Sequence, residues 1–393
     1  MLVLSGLVIV SYLLEALARR IRLPSVLFLI AVGIVLRLVT NYYNIATIDF
    51  LRILPGLGTA GLILIVFEGA LEINYSKRKN TLIRNAALVA LIALVFTSVL
   101  TALYFHFHTG QPFHRCLVNA IPFGVISSSI AIPSASVLSK TKREFITYES
   151  SFSDILGIVF FNYALVNTAL SGWLFVQLGV ELISVTVLSL VVCLGLVYML
   201  KTITHHVKFF AILSVVIFVY VLGKAMHLSS LVLVLMFGLI LNNLNLIRHP
   251  WFVKYFHYEA YEEDFQSLHR LTAEAVFFVK TFFFIAFGFI IDFTVLADPE
   301  ILISAGVFLA IMYAVRFVAL KALHKAVLPE LFFAPRGLIS ILLYLSIPAT
   351  LTLPQVNIGF LFVVVLVSSL VMALGRFYAG HGAAAGYMPP GET

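Results

Sequence analysis

Thr147-Tyr148-Glu149-Ser150-Ser151-Phe152-Ser153-Asp154-Ile155-Leu156-Gly157 sets two carboxylates and a cluster of hydroxyls inside an otherwise apolar run. An ionised carboxylate at bilayer depth costs on the order of 3 kcal/mol. Such groups stay only where partners, water or a task hold them. Glu149 and Ser153 are four residues apart, and so are Ser150 and Asp154. On a helix these pairs make two adjacent ridges that can face one interior cavity.

The surrounding chain explains why this stretch stands out. Of its 393 residues, 62% are hydrophobic and 11% charged, against about 25% charge in a soluble domain. The expected class is an all-α polytopic membrane protein. Apolar runs long enough to cross a hydrocarbon core of about 30 Å fall at 1–18, 24–40, 53–73, 82–105, 114–138, 145–170, 173–200, 208–226, 228–246, 270–292, 299–325, 330–351 and 354–376. The first run lacks a basic leader and a small-residue cleavage site, so it reads as a retained span. Cys116 and Cys193 are too few for a disulfide framework.

Charge tests this plan of thirteen spans. Of the 25 Lys and Arg residues, 18 lie in loops on one side and three (Arg52, Arg115, Lys224) on the other; Arg37, Lys280, Arg316 and Arg336 fall inside spans. That asymmetry sets topology, with the N-terminus outside and the C-terminus cytoplasmic. It also accounts for the net charge of +7 without nucleic acid. Thirteen spans divide as a first repeat (1–170), a linker span (171–207), a second repeat (208–376) and a short cytoplasmic tail (377–393). The odd offset turns the second six spans upside down, as in inverted-repeat transporters. Spans five and twelve carry matching interruptions. The first, about 121–136, holds Pro122, Ser127-Ser128-Ser129 and Ile130-Ala131-Ile132-Pro133; the second, about 333–348, holds Pro335-Arg336-Gly337 and Pro348. Each proline removes an amide donor and loosens the carbonyl one turn back. Two crossed, discontinuous helices would aim such carbonyls at a cation.

Asp154 is the first candidate for the carrier site. One carboxylate can hold a small cation or a proton but not both well, so shared occupancy couples two fluxes. Ser150 and Ser153, with carbonyls near Ile130 and Ala131, could complete an all-oxygen shell suited to an alkali cation. Arg336, permanently charged, is the expected mate of Glu149 in a structural ion pair across the repeats. Pairing of Arg336 with Asp154 is the alternative. Lys280 could move a proton, pair with Asp154, or snorkel to the membrane edge. Glu68 reads as a supporting carboxylate and Glu72 as a loop charge near Lys77. Residues 247–269 read as an interfacial amphipathic helix. His205-His206 reads as solvated, and Asn74-Tyr75-Ser76 as an unused glycosylation triplet in a cytoplasmic loop. No His or Cys pattern has metal-ligand spacing, no Ser–His or paired-Asp arrangement supports an intramembrane hydrolase, and no cofactor is expected.

These residues resemble the monovalent cation:proton antiporters of the NhaP and sodium/proton-exchanger type. Phe67-Glu68-Gly69-Ala70-Leu71 resembles the family's third-span acidic motif. Glu149-Ser150-Ser151-Phe152-Ser153-Asp154 is similar to its Glu-Ser-x-x-Asn-Asp signature. Lys280-Thr281-Phe282-Phe283-Phe284 and Pro335-Arg336-Gly337 are similar to two further motifs. The resemblance implies an elevator-type homodimer in the cytoplasmic (inner) membrane, exchanging Na+ or K+ for H+. Two positions depart from the pattern. Ile132 stands where the family usually carries Asp, and Ser153 where it carries Asn. Ser127-Ser128-Ser129 is similar instead to the Ser-Ser-Thr pattern of the potassium-efflux branch. The missing carboxylate leaves open a sodium-coupled organic-solute symporter or a cation channel on the same plan.

Overall fold

The chain is described by a computed structural model that covers residues 2–21, 23–43, 50–72, 79–166, 172–202, 209–226, 228–244, 261–291, 298–323 and 327–384. Among these residues every regular element is helical. The elements are α1 (Leu2–Ile21), α2 (Ser25–Tyr42), α3 (Phe50–Glu72), α4 (Asn80–Thr109), α5 (Phe113–Gly124), α6 (Ser128–Ser134), α7 (Lys140–Val166), α8 (Gly172–Thr202), α9 (Phe209–Ala225), α10 (Ser230–Asn243), α11 (Tyr261–Ile290), α12 (Pro299–Ala322), α13 (Leu338–Leu345) and α14 (Ile358–Ala384). Seven stretches are long and apolar enough to cross a membrane, by length and composition.

Local chemistry sets the helix ends that matter here. Asp298 caps α12, its side chain accepting the Glu300 amide at 2.9 Å, and Pro299 occupies the first helical position, where no intrahelical donor is needed. Span five is interrupted as its sequence suggests. α5 stops at Gly124, residues 125–127 are not helical, and α6 restarts at Ser128. The second interruption differs from a helix cut in two. A 3₁₀ turn at Glu330–Phe332 leads into a stretch without regular structure through Gly337, and only then comes the eight-residue α13. Pro335 disfavours helical geometry at Ala334, and Pro348 follows the end of α13.

Three further expectations change. Residues 261–269 are not a separate interfacial helix but the first turns of α11, which runs unbroken into span ten. Span thirteen continues past Arg376 to Ala384, and Arg376 itself is buried rather than a loop charge. Glu72 is the last residue of α3. The triplet at Asn74, the pair His205-His206 and residues 247–260 lie outside the described residues.

The chain forms two compact units that cut across its sequence order. The first comprises residues 1–54, 81–157 and 281–393; the second comprises 55–80 and 158–280. In the first, α2 and α11 touch backbone to backbone. A Cβ on Gly33 would lie 2.1 Å from Ile285 O, and one on Gly288 2.3 Å from Ile30 O. Arg37 then donates to Ile290 O at 3.0 Å and also to Ile291 O, closing the exposed carbonyls at the end of α11. The buried side of α4 recurs at helical spacing, from Ala86 through Ala90, Leu94, Ser98 and Thr101 to Phe105. In the second unit, α10 packs on α8 and α9. Phe67 of α3 stacks on Phe237 of α10 at 6.0 Å, and Ser189 of α8 donates to Leu233 O at 3.1 Å.

Candidate functional site

α7 carries the acidic motif into the first unit with Glu149 and Asp154 1% and 5% exposed. A buried carboxylate needs a charge partner and hydrogen bonds. Glu149 finds both in Arg316 of α12, itself 1% exposed. Arg316 Nη1 donates to Glu149 Oε1, and Nη2 donates to Oε2 at 2.9 Å. This two-pronged geometry is the strong form of the pair. The same guanidinium donates from Nε and Nη2 to Glu330 O at 3.3 and 2.8 Å, and from Nη2 to Phe333 O at 3.3 Å. Arg316 therefore ties α7 to the 3₁₀ turn that opens the second interruption.

Arg336 is thus not the mate of Glu149. Its amide donates to Ser368 Oγ at 2.9 Å, one guanidinium nitrogen reaches back to Ala334 O at 3.4 Å, and Nε has no hydrogen-bond partner among the described residues. Arg316, on an intact helix, reaches both carboxylate oxygens instead. Periodicity offered no way to choose between two arginines more than 160 residues from Glu149. The available signal was that Arg316 also lies inside an apolar run.

The interruptions meet each other. The Ser127 amide donates to Pro335 O at 2.9 Å, and Ser340 Oγ donates to Val125 O at 3.4 Å. A Cβ on Gly337 would fall 2.6 Å from both Ser127 Oγ and Ile130 Cδ1, so any larger residue would have to push these side chains aside at the crossing. α7 braces the first break. Ser153 Oγ accepts the Ile126 amide at 2.9 Å, and Gly157 sits against Val125, where a Cβ would lie 2.3 Å from Val125 Cγ2.

The expected oxygen shell is rearranged. Ser150 turns back to its own helix, donating to Ile146 O at 2.8 Å and Thr147 O at 3.2 Å. Ser153 serves the break. Ile130 and Ala131 are buried in α6, and the Ala131 carbonyl accepts the Ala135 amide. The carbonyl that Pro133 deprives of an amide is that of Ser129, four residues back. In the second unit, Glu68 and Glu72 of α3 lie within electrostatic reach of Lys280, which sits well inside α11. Glu72 is thereby part of an acidic pair facing a lysine, not a loop charge.

Residues 6–377 match the family described as sodium/hydrogen exchanger, transmembrane. Among solved structures, the sodium proton antiporter MjNhaP1 from Methanocaldococcus jannaschii at pH 8 has a TM-score of 0.71 at 17% identity, covering 97% of this chain and 96% of that one. An electron-microscopy structure of the same antiporter gives 0.69 at 18% identity, covering 98% of each chain. No curated protein matches the sequence.

Proposed function

The chain belongs to the sodium/hydrogen exchanger family, and from that premise we propose that it is a secondary antiporter exchanging Na+ or K+ for H+, with cation and proton competing for Asp154. The observation that carries this reading is the division of labour on α7. Glu149 is committed to Arg316 as a fixed structural anion, while Asp154, five residues on, is the second buried carboxylate of the motif. It stands on the helix that braces the first interruption through Ser153 and Gly157. Broken helices at membrane depth occur where backbone lines a cavity or an ion site.

The same reading includes two inverted six-helix repeats, elevator-type alternating access, a homodimer in the inner membrane with its C-terminus cytoplasmic, and a role in pH homeostasis. Glu68 and Lys280 belong to it as a supporting carboxylate and a charge partner. Proteoliposomes with a pH-sensitive dye provide the test. Wild-type protein is expected to couple H+ movement to Na+ or K+, and Asp154→Asn to abolish that coupling while eluting as folded protein. Full exchange by Asp154→Asn removes the proposed site. Running Na+, K+ and Li+ with and without a clamped voltage assigns the cation and the charge balance.

A further inference from the structure

The buried face of α4 holds three hydroxyls that the scheme above does not use. Thr97, Ser98 and Thr101 are 1%, 0% and 0% exposed, and among the described residues none of the three oxygens has a hydrogen-bond partner. Hydroxyls elsewhere on the helices behave differently. Thr109 on the same helix donates to Phe105 O at 2.7 Å, and Ser150, Ser184 and Ser214 each donate to the carbonyl one turn back at 2.8 Å. Returning the proton to its own helix is the usual solution for a hydroxyl in an apolar helix. The α4 trio forgoes it at positions i, i+1 and i+4, which share one face.

That face meets the first interruption. A Cβ on Gly124 would lie 2.7 Å from Ser98 Oγ and 3.0 Å from Leu94 Cδ1. Gly124 is the last residue of α5. The last four carbonyls of a helix have no intrahelical donor, and the negative end of the helix dipole gathers there. Pro122 removes a further amide from the same turn. Ser98 of this trio thus lies against the last residue of α5, at the end where the helix leaves carbonyls without intrahelical donors. The three hydroxyls sit about 4–10 Å from the midpoint of α4 at 1.5 Å per residue. Buried polar groups of this kind hold ordered water when two to four of them converge.

We infer that Thr97, Ser98 and Thr101 form a water-binding site behind the α5 break, its water bridging the α4 hydroxyls to the C-terminal carbonyls of α5. The site hydrates the interrupted segment that Ser153 braces through the Ile126 amide. For a passing alkali cation it supplies neutral oxygens that replace part of the hydration shell. This last consequence rests on the antiport reading; the water site does not.

The test uses the full chain in lipid nanodiscs. A map that resolves water is expected to show density within hydrogen-bond distance of at least two of the three hydroxyls, and to lose it in Thr97→Val/Ser98→Ala/Thr101→Val. In proteoliposomes the triple variant is expected to raise the half-saturating Na+ concentration by about tenfold, the size of losing one to two water-mediated bonds. Thr97→Ser/Thr101→Ser, which keeps every hydroxyl, is expected to stay within about twofold of wild type. Ser98→Ala alone replaces the triple variant if the latter does not fold. Hydroxyls donating to their own helix carbonyls, with no density between α4 and α5, overturn the inference. So does unchanged sodium dependence in a variant that folds and exchanges. If wild-type protein moves no cation, the antiport reading fails and the map alone decides the water site.

Discussion

The two interruptions of the first unit are held in different ways. Around residues 125–127 the partners are neutral: the Ser153 hydroxyl accepts from Ile126 N, the Pro335 carbonyl accepts from Ser127 N, and Ser340 donates to Val125 O. At 330–337 the partners include a buried guanidinium, with Arg316 donating to Glu330 O and Phe333 O while gripping Glu149. The lesson is one of placement. A permanent positive charge at the first break would repel a cation, and hydroxyls there satisfy the backbone without adding charge. At the second break the Arg316 charge closes on its own counter-ion, Glu149.

Arg316→Met breaks this contrast most severely. It leaves Glu149 buried without its cation and releases two carbonyls, an effect of about 3–5 kcal/mol. It should appear as loss of monodisperse protein on size-exclusion chromatography and a lowered Tm in detergent. Adding Glu149→Gln removes the orphaned charge and should restore much of the yield. A double variant as poor as the single one would mean that the ion pair is not what the arginine supplies.

Arg336→Gln comes next and sharpens the assignment. Among the described residues the Arg336 guanidinium makes one long hydrogen bond, to Ala334 O at 3.4 Å, and its amide bond to Ser368 survives substitution. Its loss should lower stability clearly less than Arg316→Met in the same thermal assay. The reverse order would restore Arg336 as the partner of Glu149.

That ordering is where the sequence alone misleads. Long apolar runs declare membrane helices because backbone amides in lipid have no other solution. Carboxylates and prolines inside such runs therefore mark both interruptions and the motif on α7. Boundaries were less legible. Nothing from Trp251 to Phe287 is a proline or glycine, so the polar turns at 261–269 simply continue into span ten. At the other end, Gly380 and Gly382 do not stop α14 before Ala384, since a glycine costs a helix only about 1 kcal/mol. Partner choice was least legible. Glu149 and Arg316 are 167 residues apart, and no periodicity reports which of several buried arginines a fold delivers. The task of Ser153 was hidden for the same reason, because its partner is a backbone amide on another helix.

Ser153→Ala tests the neutral brace. It strands the buried Ile126 amide, at about 1–3 kcal/mol for an unsatisfied group. Ser153→Asn, whose side-chain oxygen can accept the same bond, should recover most of the loss in Tm. Equal destabilisation by both would show that side-chain volume, not the accepted bond, matters at this position.

The smallest effect belongs to the rim of the ionic break. Lys142 of α7 lies 3.4 Å from the Glu330 carboxylate and 3.2 Å from Leu328 O. The Lys142 side chain is 26% exposed and the Glu330 side chain 6%. Water reaching the ammonium screens the pair, which places it near the top of the range for surface ion pairs, about 1 kcal/mol. Lys142→Met should therefore lower Tm slightly, by less than Ser153→Ala. The difference from wild type should shrink as NaCl rises, because screening weakens the wild-type pair and has nothing to act on in the variant. The Arg316–Glu149 pair, dry on both sides, should show no comparable salt dependence. If Lys142→Met instead matched Arg316→Met in cost, Glu330 would be a buried anion as demanding as Glu149, and charge at the second break would extend undiminished from the core to the surface.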